Sequence, residues 1–148
     1  MAADQDGQLF LRLEIVAPDG PVFEEDVAMV VVPAVGGQLG ILPRHAPLVA
    51  QLAVGEVRVK GLDGGWTIFA LAEGFLKVQY DKVIILADAS EISSAIDVER
   101  ARQAMDRAKE RILMDREDRV PEDEMVDVYR EEMVIKRAKN RLKVADKS

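Results

Sequence analysis

Val83-Ile84-Ile85-Leu86-Ala87-Asp88-Ala89-Ser90-Glu91-Ile92-Ser93-Ser94-Ala95-Ile96-Asp97-Val98 contains the point at which the chain changes its period. Before Ala89, apolar residues come in short runs or alternate with polar ones, as strands require when side chains point to opposite faces in turn. After Ser94 they recur every three or four positions, the spacing of one helix face. The change divides the 148-residue chain into residues 1–90 and residues 91–148.

Backward from this junction, residues 83–87, 75–80 and 66–71 are strand-like, separated by Asp81-Lys82 and Glu73-Gly74 as turns. Asp63-Gly64-Gly65 is a hairpin signal. Residues 56–60 and 48–52 continue the pattern, and 27–32 is a β-branched run apolar on both faces. Val22-Phe23 follows the turn Pro18-Asp19-Gly20-Pro21, in which proline fixes φ and glycine frees it. In residues 8–17, Leu9, Leu11, Leu13 and Ile15 fall on one face, Arg12 and Glu14 on the other. Short strands with turns about every 8–12 residues predict an antiparallel β-sandwich or barrel.

Forward from the junction, Ser94-Ala95-Ile96-Asp97 fits a capping box at a helix start. Val98, Ala101, Met105, Ala108 and Ile112 then form one seam. Residues 115–119 are polar, and Pro121 followed by Glu122-Asp123-Glu124 predicts a second helix N-terminus, with proline early and acids in the first turn. Val128, Ile135, Ala138 and Leu142 carry that helix's stripe, with Glu131 its one defect. The class is mainly β plus α, a β domain followed by a C-terminal two-helix hairpin. The two alanines in the first seam contribute little, at roughly 0.8 kcal/mol per buried carbon, against about 1–2 kcal/mol of backbone entropy per ordered residue. The hairpin must dock on something.

Charge and composition exclude several functions. Residues 1–92 hold 13 acidic and 6 basic side chains, whereas residues 93–148 hold 14 of each. An acidic first part argues against nucleic acid, whose phosphates need a basic footprint. No apolar run approaches the roughly 18 residues of a membrane span, and the acidic N-terminus has no signal-peptide character. Cysteine is absent, and His45 is the only histidine, leaving no thiol nucleophile, triad or histidine metal cluster. No Walker A run occurs. Asp88 to Glu99 has the length of a calcium loop, but Ile92 and Ser93 occupy its fifth and sixth positions, where a ligand and a glycine belong. Glu24-Glu25-Asp26 is an acidic run of the kind found on solvated surface.

Between the strands stands Gly36-Gly37-Gln38-Leu39-Gly40-Ile41-Leu42-Pro43-Arg44-His45-Ala46-Pro47-Leu48, with three glycines and two prolines in thirteen residues. Special dihedrals rather than a ladder should shape it, with Gln38, Arg44 and His45 presented. The run G-Q-L-G-I-L-P-R-H-A-P-L resembles the signature loop of the epsilon subunit of F-type ATP synthases, except that Gln38 stands where an acidic residue is common. The resemblance extends from about Leu9 to Ala145. It implies a non-catalytic subunit of the rotating central stalk, peripheral to the cytoplasmic face of the cell membrane. Its partners would be the gamma subunit, the c-subunit ring and the alpha/beta catalytic hexamer. The signature loop, with Gln38, Arg44 and His45, would face the c-ring and gamma.

On the helices, Arg100 and Arg107 are seven apart, and Arg137 and Arg141 four apart, each pair on one face. In an antiparallel hairpin the four guanidiniums could converge on a polyanion through charge-assisted bonds, or each could pair with a neighbouring acid in an i,i+4 ladder. Spacing leaves both open. Ile96-Asp97-Val98-Glu99-Arg100-Ala101 resembles the I/L-D-x-x-R-A motif with which some bacterial epsilon subunits bind ATP. Lys136-Arg137-Ala138-Lys139-Asn140-Arg141-Leu142 resembles the matching K-R-A-x-N-R-L segment. The resemblance implies Glu91, Ile96, Asp97, Arg100, Ala101, Arg107, Arg137 and Arg141 as ligands of ATP, a regulatory ligand rather than a required cofactor; no metal is expected. It also implies that Lys136, Arg137, Lys139, Arg141 and Lys143 meet an acidic segment of the beta subunit when the hairpin inhibits ATP hydrolysis. The alternative is a free-standing nucleotide sensor without a rotary partner.

Overall fold

The computed structural model describes residues 7–117 and 126–148. Seven strands come first: β1 Leu11–Ala17, β2 Gly20–Ala34, β3 Gly37–Ile41, β4 Leu48–Gly61, β5 Trp66–Gln79, β6 Lys82–Ala87 and β7 Ser90–Ile92. A 3-10 turn at Ser93–Ala95 leads into helices α1 Val98–Arg116 and α2 Val128–Ala145.

Three of these strands are much longer than the sequence pattern suggests. The expected runs at 22–23 and 27–32 are one fifteen-residue strand, while β4 and β5 each join two expected runs into fourteen residues. The physical reason is a change of face partway along. In β5, Phe69 and Leu71 are buried in the core before Glu73-Gly74, and Leu76 and Val78 after it. The inward positions thus pass from odd to even numbers. A strand that bends from one layer of a sandwich into the other must do this, and the interruption of alternation resembles a chain end. Glu73-Gly74 is therefore a kink within β5, not a turn between strands, and the β4–β5 register is the same on both sides.

The strands close on themselves in the order β1-β6-β5-β4-β2, with β2 returning to pair with β1. Every pairing is antiparallel except β1 with β6, which run parallel, for example Leu13 beside Val83. The antiparallel β-sandwich or barrel expected from the sequence is thus the fold observed, with this one parallel pair as its exception. The core holds Leu11, Leu13, Ile15, Val30, Val32, Val57, Val59, Phe69, Leu71, Leu76 and Ile85, with Phe23 edge-on to Phe69 at 5.2 Å.

The glycine- and proline-rich stretch divides into two parts. Gly37–Ile41 is not free of the ladder; it pairs antiparallel with β2, Leu39 facing Val32. Beyond it, His45 N–H donates to the Leu42 carbonyl at 3.1 Å, and Arg44 takes φ 67°. Proline second and a positive φ third is the form of a type II turn. Buried Asp81 fixes this turn by accepting from Arg44 N–H at 2.5 Å.

The first helix starts later than expected. Asp97, not Ser94, caps α1, its carboxylate accepting from Arg100 N–H at 3.0 Å. Asp127 caps α2 in the same way, through Arg130 N–H at 3.1 Å. The start expected at Pro121-Glu122-Asp123-Glu124 lies outside the described residues. Ala101, Ala108 and Ile112 are buried as the first seam requires, whereas Val98 is 39% exposed. On α2, Ala138 is buried but the other burials are Glu131 and Val144.

Candidate functional site

Helix α2 lies on β4 and β5, and small residues there admit it. Ala70 and Ala72 leave the sheet face low, and Val144 packs there, fully buried beside Ala70 and Ile96. Asn140 Nδ2 donates to two sheet carbonyls, Gly55 at 2.7 Å and Leu71 at 3.3 Å. Ion pairs flank this anchor. Arg137 Nη2 meets Glu73 Oε1 at 3.3 Å, Arg141 Nε meets Glu91, and Lys147 Nζ meets Glu56 at 2.6 Å. Arg137 and Arg141 thus pair across elements rather than in an i,i+4 ladder. At the other end of the hairpin, Arg111 of α1 meets Glu131 of α2 at 3.0 Å.

A cavity of about 500 Å³ opens between the helices and the sheet, within the ~300–1,000 Å³ of small-molecule sites. Arg100, Arg137, Asn140 and Arg141 line its helical side. Ala70, Leu71, Ala72, Ala89, Ser90 and Glu91 line the sheet side, with Asp19 of the β1–β2 turn at its edge. Two buried polar atoms in this wall, Ser90 Oγ and Arg137 Nε, have no hydrogen-bond partner. Three guanidiniums meet three carboxylates, Asp19, Glu91 and the Glu73 paired to Arg137, so it is the donors left over, Ser90 Oγ and Arg137 Nε, that suit the cavity to an anion.

Four of the expected nucleotide ligands, Glu91, Arg100, Arg137 and Arg141, meet at this cavity. The other four stand elsewhere. Ile96 is buried in the apolar cluster under Val144, Asp97 is committed as the cap of α1, and Ala101 is fully buried. Arg107 is exposed, seven residues and about 10 Å further along α1 than Arg100. Asn140, Ser90, Asp19 and Glu73 were not foreseen. Asn140 had a legible signal, since it sits three residues after Arg137 and next to Arg141. Glu73 had none, because a turn does not suggest a partner 64 positions away.

The five bases of α2 lie on two faces of the docked helix. Lys136, Lys139 and Lys143 are exposed, while Arg137 and Arg141 turn to the sheet. In the signature loop, Gln38 accepts from Arg58 at 3.5 Å, Arg44 is exposed, and His45 Nδ1 donates to the Ala46 carbonyl at 2.7 Å. Among the described residues no group of three or more His, Cys, Asp or Glu could hold a metal, and no helix is long and apolar enough to cross a membrane.

Comparison with known proteins covers both parts of the chain. Residues 10–93 match the family model described as ATP synthase, Delta/Epsilon chain, beta-sandwich domain. Residues 94–146 match that described as ATP synthase, Delta/Epsilon chain, long alpha-helix domain. An ATP synthase epsilon chain of Halalkalibacterium halodurans is 49% identical over 137 residues, covering 91% of this chain and 96% of its own. That of Bacillus pumilus is 44% identical over 137 residues, covering 93% and 98%. In fold, the chain is similar to one in the Euglena gracilis mitochondrial ATP synthase (OSCP/F1/c-ring), with a TM-score of 0.69 at 23% identity, covering 95% of this chain and 86% of that one.

Proposed function

The chain belongs to the ATP synthase delta/epsilon family, on its epsilon side, and from that premise we propose that it is a non-catalytic subunit of the rotating central stalk. Its β domain seats on the gamma subunit and the c-ring through the end that carries Gln38, Arg44 and His45. Its hairpin regulates ATP hydrolysis by the alpha/beta hexamer. The complex, not this chain, provides the association with the cytoplasmic face of the membrane.

The observation that carries the regulatory part is how α2 is held. Its docking uses Asn140 and three ion pairs around one buried valine. Partly exposed pairs of this kind contribute about 0–1 kcal/mol each. A helix held so lightly can leave the sheet when a partner offers more. Lys136, Lys139 and Lys143, already exposed, are then the first groups to meet an acidic segment of the beta subunit. ATP would act on the same equilibrium from the cavity, with Arg100, Arg137 and Arg141 toward its phosphates and Ser90 Oγ and Arg137 Nε as unused donors. A ligand that bridges both helices and the sheet favours the docked form by mass action.

Two measurements test this. Reconstitution with gamma subunit and the catalytic hexamer should give a complex whose ATP hydrolysis is inhibited by the full chain and released by removal of 93–148. Calorimetry on the isolated chain should show ATP binding. Assembly without inhibition rejects the regulatory role, and absence of binding at millimolar ATP rejects the nucleotide site alone. Nucleotide turnover by the isolated chain would reject the non-catalytic assignment.

A further inference from the structure

Glu73 occupies a backbone position that suits glycine. Its φ is 71°, in the left-handed region where any residue with a Cβ is disfavoured. The kink itself needs no carboxylate. Its backbone is fixed by neighbours: the Glu73 carbonyl accepts from Asp88 N–H at 3.1 Å, and Ala72 N–H donates to the Ala89 carbonyl at 2.9 Å. The adjacent Gly74 lies too close to the Leu86 carbonyl to carry a side chain. A second glycine at 73 would keep this geometry without strain.

What the Glu73 side chain adds is one long-range contact, the ion pair with Arg137 on α2. Arg137 also lines the cavity, where its Nε has no partner. One guanidinium therefore faces two claims, the carboxylate of Glu73 and whatever anion enters the cavity.

We propose that Glu73 is an internal competitor for the anion of this cavity. It holds Arg137, and with it the hairpin, on the sheet while the cavity is empty, and yields Arg137 to an arriving phosphate. The competition rests on the nucleotide reading above; the hold on the hairpin does not. The pair exists in only one of three states. It is present in the empty docked hairpin, and absent both from the liganded one, where Arg137 turns to phosphate, and from the undocked one. Removing Glu73 thus destabilises the empty docked state alone. Undocking without ligand becomes easier, by roughly 1.4- to 5-fold for a half-exposed pair. Affinity for the anion rises by up to the same factor, and at the limit of a mostly undocked hairpin it stays unchanged. It cannot fall.

Glu73→Gln and Glu73→Gly in the full chain test this. Glu73→Gln keeps the length and the strain and removes the charge, whereas Glu73→Gly removes all three. Amide exchange of 128–145 without nucleotide should quicken roughly 1.4- to 5-fold in both variants, with exchange of the core strands no faster as the check on folding. Titration with ATP should give equal or tighter binding in both. Unchanged protection of α2 in both variants overturns the hold, and weaker ATP binding in either overturns the competition. If the wild type takes up no ATP, the nucleotide reading fails and the competition fails with it. The exchange measurement then still decides whether Glu73 holds the hairpin.

Discussion

A Cβ on Gly74 would overlap the Leu86 carbonyl oxygen and come within 3.0 Å of Ala87 Cα, so this single hydrogen decides whether β5 and β6 can approach at the kink. Backbone cannot yield there as a flexible side chain would. Gly74→Ala should destabilise the β domain by about 1–3 kcal/mol or more, read as a lower urea midpoint at unchanged slope. Asp97 acts at the same scale. As the cap of α1 it satisfies Arg100 N–H, and Asp97→Ala should remove about 1 kcal/mol of hairpin stability, seen as faster exchange at the start of α1. Its weakening of ATP binding would then come through helix order rather than direct contact. Arg100→Ala and Arg137→Ala remove charged donors from the cavity, and each should weaken ATP binding by about 1.5–3 kcal/mol in calorimetry. The meeting of Arg100, Arg137 and Arg141 was legible in the sequence because spacing on two helices survives folding, whereas Glu91, on β7, came only with the family resemblance. Ser90 and Glu73 were not, because their roles depend on what the fold sets opposite them.

Among the elements, the helix faces were more legible than the strands. A helix keeps its period from end to end, so Ala101, Ala108 and Ile112 emerge directly from spacing. A strand that crosses from one layer to the other reverses its period at the crossing, and β2, β4 and β5 each looked like two. The apparent defect at Glu131 is an interhelical tie. Its side chain is 9% exposed against 63% for its partner Arg111, so most of the desolvation falls on the carboxylate. Glu131→Leu should therefore stabilise the folded hairpin by roughly 1 kcal/mol, slowing amide exchange in both helices. The bases of α2 separate by face, and their substitutions should separate as well. Replacing Lys136, Lys139 and Lys143 with alanine should relieve inhibition of ATP hydrolysis while α2 stays protected from exchange in the isolated chain. Replacing Arg137 and Arg141 should loosen α2 on the sheet. Equal inhibition by wild type and the three-lysine variant, with assembly confirmed, would favour steric plugging over charge attraction.

For the whole molecule, the helices add little to the seventeen-residue buried core of the β domain, so a chain ending after Ile92 should fold by itself. A cut after Ala89 would also remove β7, which pairs Phe69 with Ile92 and Leu71 with Ser90. The shorter fragment should show faster exchange at 69–71 while the rest of the sheet stays protected. That a β-sandwich or barrel precedes a helical hairpin could be read from sequence; that it closes through β1 lying parallel to β6 could not. This parallel pair has a consequence for how the chain comes to be. Leu13 and Val83 meet across 70 positions, so β1 leaves the ribosome with β2 close behind it but long before its second partner, β6, exists. Contacts so distant in sequence form slowly, because the loop entropy comes due before the contact rewards it. The β4–β5 hairpin can form locally, and β1 must then be the stave that completes the cask. In pulse-labelled refolding, β4 and β5 amides should gain protection first, and the amides shared by β1 and β6 last. Until that moment Leu11, Leu13 and Ile15 face water on an unpaired edge, where such segments recruit one another. Aggregation during refolding should therefore rise steeply with protein concentration and cease once the ring is shut.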